Sequence, residues 1–193
     1  MDHRPQLEQP QPLPLPLAAL ERDVAALCEA WAGSLPAMMG VIGGGAQSEV
    51  EQMSDSGLVK VTDALAIVRR DVDVMLARVA AEVTKRSGRE FGDVGLAKAQ
   101  GFHNPVRLIA ASTGASRSDA QKLIAVGTAT AQRQTFSGER LPPRHPYVAA
   151  ALDAAKIGIE AASVLTSMLD RVSMTVEASV QVDHAASVFA HRE

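Results

Sequence analysis

The sequence predicts an all-α protein, an elongated helical bundle with one long central helix and several shorter helices, and three observations predict it. Aromatic residues make up only 3% of the 193, so the core has to be built from Ala, Val, Leu, Ile and Met. That choice favours close-packed helices over strands, which draw on aromatic and β-branched side chains. Apolar residues recur at steps of three and four over long stretches, and glycine and proline gather in clusters between those stretches. With 47% hydrophobic and 21% charged residues, the composition is that of a folded chain. The length excludes two large domains.

Residues 1–16 alternate proline with glutamine and leucine, which disfavours helix and predicts a disordered, polyproline-like tail. Residues 17–57 read as an N-terminal helix and a Gly-rich linker. Leu17, Leu20, Val24, Leu27 and Trp31 fall on one helical face, and Cys28 beside them reads as a small buried side chain. Gly40, Gly43, Gly44 and Gly45 have no neighbouring Lys with Ser or Thr and no strand leading in, so they predict a linker and not a phosphate loop. Such a linker lets the first helix fold back or reach a second copy of the chain.

Residues 58–193 read as a helical domain. Leu58, Val61, Leu65, Val68, Val72, Met75 and Val79 alternate steps of three and four, the spacing of a coiled-coil seam. A helix of about 30 residues is roughly 45 Å long, and a chain this small covers it only by laying another helix along it. That helix could be Leu17 to Trp31, one of the C-terminal helices or the same helix of a second subunit, in which last case the seam is the oligomer interface. Arg69, Arg70, Asp71, Asp73, Arg78, Lys85 and Arg86 lie on the other face. Gly88 supplies the stop.

Asn104 with Pro105 predicts an N-cap and first helical residue for a helix over 106–112. Gly114 breaks it, and Ser116 with Asp119 resembles a capping box opening a helix to about Thr130. Helix, glycine turn, helix is the outline of a DNA-reading helix-turn-helix, although helices that merely pack together share it. The second helix carries Arg117, Ser118, Gln121 and Lys122 near its start, where base contacts are made. Residues 137–146 are a breaker cluster read as a loop. Helices follow from Tyr147 to about Ala155 and from Ile159 to Val172, and residues 173–183 fit either a helix or a strand, with helix preferred because a lone strand has no partner.

The formal net charge of −3 conceals a polarity. Residues 60–144 hold fourteen basic against eight acidic side chains, whereas residues 1–59 hold two against eight. The middle can offer a basic face to an anionic partner. No apolar run approaches the length needed to cross a bilayer, so no membrane partner is expected, and the single cysteine fits a cytoplasmic location. No metal, cofactor, small-molecule substrate or catalytic constellation is expected. His184 and His191 lie about 10.5 Å apart along a helix, too far to share a metal unaided. His103 and His145, each close before a helix-opening proline, read as capping or solvent-facing.

The segments KRSG (85–88), STGASRSDAQKLIAVG (112–127) and SGERLPPRHPYVAAALDAAKIGIEAAS (137–163), in that order, resemble the helical N-terminal region of actinobacterial 13E12-repeat proteins, a domain of unknown function (number 222) that often precedes an HNH nuclease module. The resemblance covers about residues 58–172 and implies a parent function of DNA cleavage. The family's nuclease residues, a histidine-rich metal site in a ββα fold, have no counterpart here, so no catalytic residue carries over.

Together these readings predict a non-catalytic, DNA-associated module. Its phosphate contacts would be Arg69, Arg70, Arg107, Arg117, Lys122, Arg140 and Arg144, with Ser118 and Gln121 toward bases. A homo-oligomer through the Leu58-to-Val79 seam is expected. The alternative is a helical scaffold that dimerises and touches no nucleic acid, and a small metal-free enzyme ranks behind both.

Overall fold

The structure, a computed structural model, describes the backbone of residues 15–36 and 45–190, and side chains within 17–36 and 45–175. The proline-rich tail up to residue 14, the centre of the Gly-rich linker, and the side chains of His184 and His191 lie outside the described residues. The helices are α1 (Leu15–Ala32), α2 (Ala46–Glu51), α3 (Asp55–Lys85), α4 (Leu96–Ala99), α5 (Pro105–Thr113), α6 (Arg117–Thr130), α7 (Pro146–Asp153) and α8 (Ile159–Ala190). A 3-10 turn, Arg89–Val94, precedes α4. The fold is all-α with one long central helix, α3, of 31 residues. Residues 173–183, ambiguous by pattern, continue α8 as helix.

Residues 137–146 are not wholly loop. Two short strands, β1 (Arg133–Gln134) and β2 (Arg140–Leu141), pair antiparallel with Arg133 opposite Leu141 and Gln134 opposite Arg140. Periodicity says nothing about strands of two residues, because two positions cannot establish an alternation.

The chain falls into two units, Met1–Arg69 and Arg70–Glu193. In the first, α1 turns back. Trp31 donates its indole N–H to Glu49 Oε2 at 2.6 Å, and Ser34 packs so tightly on Gly57 that a Cβ at residue 57 would lie 2.7 Å from the Ser34 Cβ. Met53 and Val61 are buried here, whereas Cys28 is exposed. The buried reading of Cys28 fails because α1 is thinly covered, and even its stripe residues Leu17 and Val24 stay exposed.

In the second unit the core gathers Ala77 and Ala80 of α3, Ile109 of α5, Ala120, Leu123 and Val126 of α6, Val148 and Leu152 of α7, and Ile159 and Ala162 of α8. Small side chains bring backbones together. At Gly127 the approach is closest, since a Cβ there would run into the Ala77 carbonyl oxygen. The core-facing stripe of α3 in this unit is Ala77 and Ala80, flanked by Val74, Leu76 and Val83, and not the seam. Of the seam residues Val61 is buried at 4%, Val68 and Met75 are half-buried, and Leu58, Leu65, Val72 and Val79 are exposed, Val79 at 59%.

Candidate nucleic-acid interface

The α5–turn–α6 hairpin is fixed by its caps. Asn104 Oδ1 accepts the Arg107 N–H at 3.0 Å, and Pro105 opens α5. Gly114 ends α5 in the left-handed region at φ 68°, where glycine carries no Cβ penalty. Ser116 Oγ then accepts the Asp119 N–H at 3.1 Å, opening α6. Asp119, shorter than the usual capping Glu, receives the Ser116 hydroxyl on Oδ2 at 2.8 Å. Both caps foreseen from sequence are formed.

Helical periodicity divides α6 into two faces. Ala120, Leu123, Val126, Gly127 and Thr130 are buried, which turns Arg117, Ser118, Gln121, Ala125 and Thr128 outward, all exposed. Arg117, Ser118 and Gln121 therefore share the open N-terminal part of one helix. Lys122 does not stand with them as a free cation. Its ammonium lies 2.7 Å from Glu160 Oε1 and 3.3 Å from Asp119 Oδ1. Glu160 first, then Asp119, hold its pKa above the ordinary lysine value.

The remaining predicted phosphate contacts are spread over several elements. Arg107 is exposed on α5, Arg140 is exposed on β2, Arg69 is exposed on α3 in the first unit, and Arg70 is half-buried where the second begins. Arg144 Nε lies 3.2 Å from Asp170 Oδ1. A carboxylate already beside Arg144 or Lys122 cancels much of the field that would draw a phosphate. Both drop behind Arg107, Arg117 and Arg140 as candidates.

At the C-terminal end of the outward α6 face an open groove of about 860 Å³ is lined by Arg78 and Lys85 of α3, Thr128, Gln132, Arg133 of β1 and Arg140 of β2, among others. Arg78 is paired with Asp153 at 2.5 Å. Arg133 is oriented by a hydrogen bond from Nε to the Pro142 carbonyl at 3.1 Å. Lys85, Arg133 and Arg140 have no acid within ion-pair distance among the described residues. Glu82, the acid in the lining, is taken up by Arg86 at 2.7 Å, and that hydrogen bond holds its carboxyl below the usual range.

Sequence reasoning missed Lys85 and Arg133 as groove residues. Lys85 was visible only as part of a solvated helix face. Arg133 is brought against β2, opposite Leu141, by a hairpin whose one local signal was the Ser137-Gly138 turn dipeptide. It also misread His145, which is buried at 9% exposure and lies 2.8 Å from Asp170 Oδ1 through Nε2. The N-cap position of α7 is occupied by His145, but its ring makes no capping bond. Its polar partner comes instead from α8.

Among the described residues no group of three or more His, Cys, Asp or Glu side chains converges as metal ligands do, and no helix is long and apolar enough to cross a membrane. No family model, curated protein or solved structure matches this chain.

Proposed function

We propose that the chain is a non-catalytic helical module of an HNH-endonuclease-like protein, one that binds DNA or positions its parent upon it. The observation that carries this reading is the outward face of α6. Its first turns expose Arg117, Ser118 and Gln121, while at its other end Thr128 borders the groove that Lys85, Arg133 and Arg140 help to line. The eleven steps from Arg117 to Thr128 span about 16 Å, so cations flank both ends of a face that otherwise carries small or polar groups. Phosphate contacts at the two ends would fix register, and Ser118 and Gln121 between them would meet base edges. The basic middle of the sequence and the order of its three 13E12-like segments support the same reading.

Filter binding of the whole chain to duplex DNA at about 50 and 200 mM salt tests it, because affinity carried by phosphate contacts falls steeply over that range. With Lys85, Arg117, Arg133 and Arg140 engaged, the log–log slope is expected at about −3.6. Absence of binding at the lower salt removes the proposal.

One observation favours a second reading, a dimerising scaffold. Leu58, Leu65, Val72 and Val79 recur every seven residues along α3, and all four are exposed. A seven-residue apolar repeat is what a partner helix requires. Light scattering over a dilution series tests this reading, which a monomer at every concentration would remove.

A further inference from the structure

The hairpin that walls the basic groove ends in a phenylalanine with no surface to pack against. The Gly138 N–H donates to the Thr135 carbonyl at 3.0 Å, and the Thr135 N–H to the Glu139 carbonyl at 2.9 Å. The Thr135 hydroxyl accepts the Glu139 N–H at 3.0 Å and lies 2.8 Å from the Ser137 hydroxyl. Gly138 takes φ 85°, the left-handed position that closes a three-residue hairpin loop. Phe136 is the second residue of this turn, and it is fully exposed. Three residues before it stands Arg133 and four after it Arg140, both lining the groove with Lys85.

A single exposed apolar residue is common and signifies nothing alone. Here the backbone beneath the ring is held by a hydrogen-bonded turn, and the strands on either side of that turn each contribute an arginine, from successive rungs of the ladder, to the lining of one groove. Cations that follow a backbone, combined with an aromatic face for the base between them, are how unpaired nucleic acid is held with little regard to sequence. In a closed duplex the bases are already stacked on one another, and a protein ring reaches them only by opening a step.

We propose that the β1–β2 hairpin is a clamp for unpaired DNA, in which Phe136 stacks on an exposed base while Lys85, Arg133 and Arg140 hold the neighbouring phosphates. This rests on the DNA reading above and narrows its ligand to single-stranded or locally opened DNA at this end of the molecule. Duplex contacts at the N-terminus of α6 are independent of it.

The test is fluorescence anisotropy of the full chain with a labelled oligothymidine of about 20 nucleotides and, in parallel, a blunt duplex. Phe136→Ala is expected to weaken single-strand binding by about 5- to 100-fold, the range for loss of one stacked base, and to leave duplex affinity within about twofold. Phe136→Trp is expected to restore single-strand affinity and to show indole quenching on binding, measured against the parent chain with its lone Trp31. Because Phe136 buries nothing, matching thermal melts for all three proteins establish that folding is unchanged. Single-strand binding unaffected by Phe136→Ala overturns the clamp. Duplex binding without single-strand binding overturns the clamp and leaves the DNA reading standing, whereas no binding of either form overturns both.

Discussion

Ser116, Asp119, Lys122 and Glu160 form a run of contacts in which each polar group is held by the next. The Ser116 hydroxyl first, and Lys122 next, keep the Asp119 carboxyl below its ordinary pKa. A carboxyl whose folded-state pKa is depressed contributes stability that is fully present above the unfolded value, about 4, and is lost as pH falls through the lower folded value. Glu82 beside Arg86 and Asp93 beside Lys98 have the same sign. Lys122, with its pKa raised, stabilises below its unfolded value and ceases to do so only in strong alkali. Urea midpoints are thus expected to decline from about pH 5 to about pH 2, and less steeply in Asp119→Asn, which removes one of these groups. An unchanged decline in the variant would show that the carboxyl is not held. Asp170 is a second case. Asp170→Ala strips the acceptor from the buried His145 ring and is expected to cost about 1–3 kcal/mol in urea denaturation, whereas Asp170→Asn, still offering an oxygen, recovers part of the loss. At this scale local chemistry was legible and distant chemistry was not. Asn104 and Ser116 announce their caps within three residues, but the burial of His145 depends on a carboxylate 25 positions away.

At the scale of elements, the α3–α6 contact rests on one missing methyl group. A Cβ at residue 127 would collide with the Ala77 carbonyl oxygen and crowd the Ala81 Cβ. Backbone in a helix cannot step aside as a side-chain tip can, so the helices must separate and leave Val126 and Leu123 less well packed. Gly127→Ala is expected to destabilise by about 1–3 kcal/mol, the range for overpacking, although alanine is intrinsically the better helix former. A urea midpoint equal to the parent's would show that the crossing is looser than described. The same crossing explains why the position of α3 was legible and its packed side was not. Steps of three and four located the helix to within three residues of Asp55–Lys85. They selected the larger apolar residues, however, while the second unit buries Ala77 and Ala80, since close backbones leave room only for methyl groups. Large exposed seam residues and small buried ones are two consequences of one alanine-rich design.

For the whole molecule the question is how a chain of net charge −3 would hold a polyanion, and the answer lies in which cations are already neutralised. Lys122, Arg78, Arg86, Lys98 and Arg144 each stand against a carboxylate, and exposed pairs of this kind add little stability. Among the described residues Lys85, Arg117, Arg133 and Arg140 have no carboxylate within ion-pair distance, although Lys85 contributes to the field on Glu82. Salt dependence separates the two classes, because each phosphate contact releases counterions from DNA and adds about 0.9 to the log–log slope on a duplex, about 0.7 on a single strand. Arg117→Ala and Arg140→Ala are each expected to flatten the slope by about one unit and to weaken binding across all sequences. Lys122→Ala removes a cation that two carboxylates already offset, and it exposes Asp119 and Glu160 as unbalanced negative charge near the start of α6. Its expected signature is therefore weaker binding at low salt that converges on the parent as salt rises, because the added term is long-range repulsion and is screened. If Lys122→Ala instead flattened the slope as Arg117→Ala does, the ion pairs would have to open on binding, and the separation of paired from unpaired cations would not describe how the surface works.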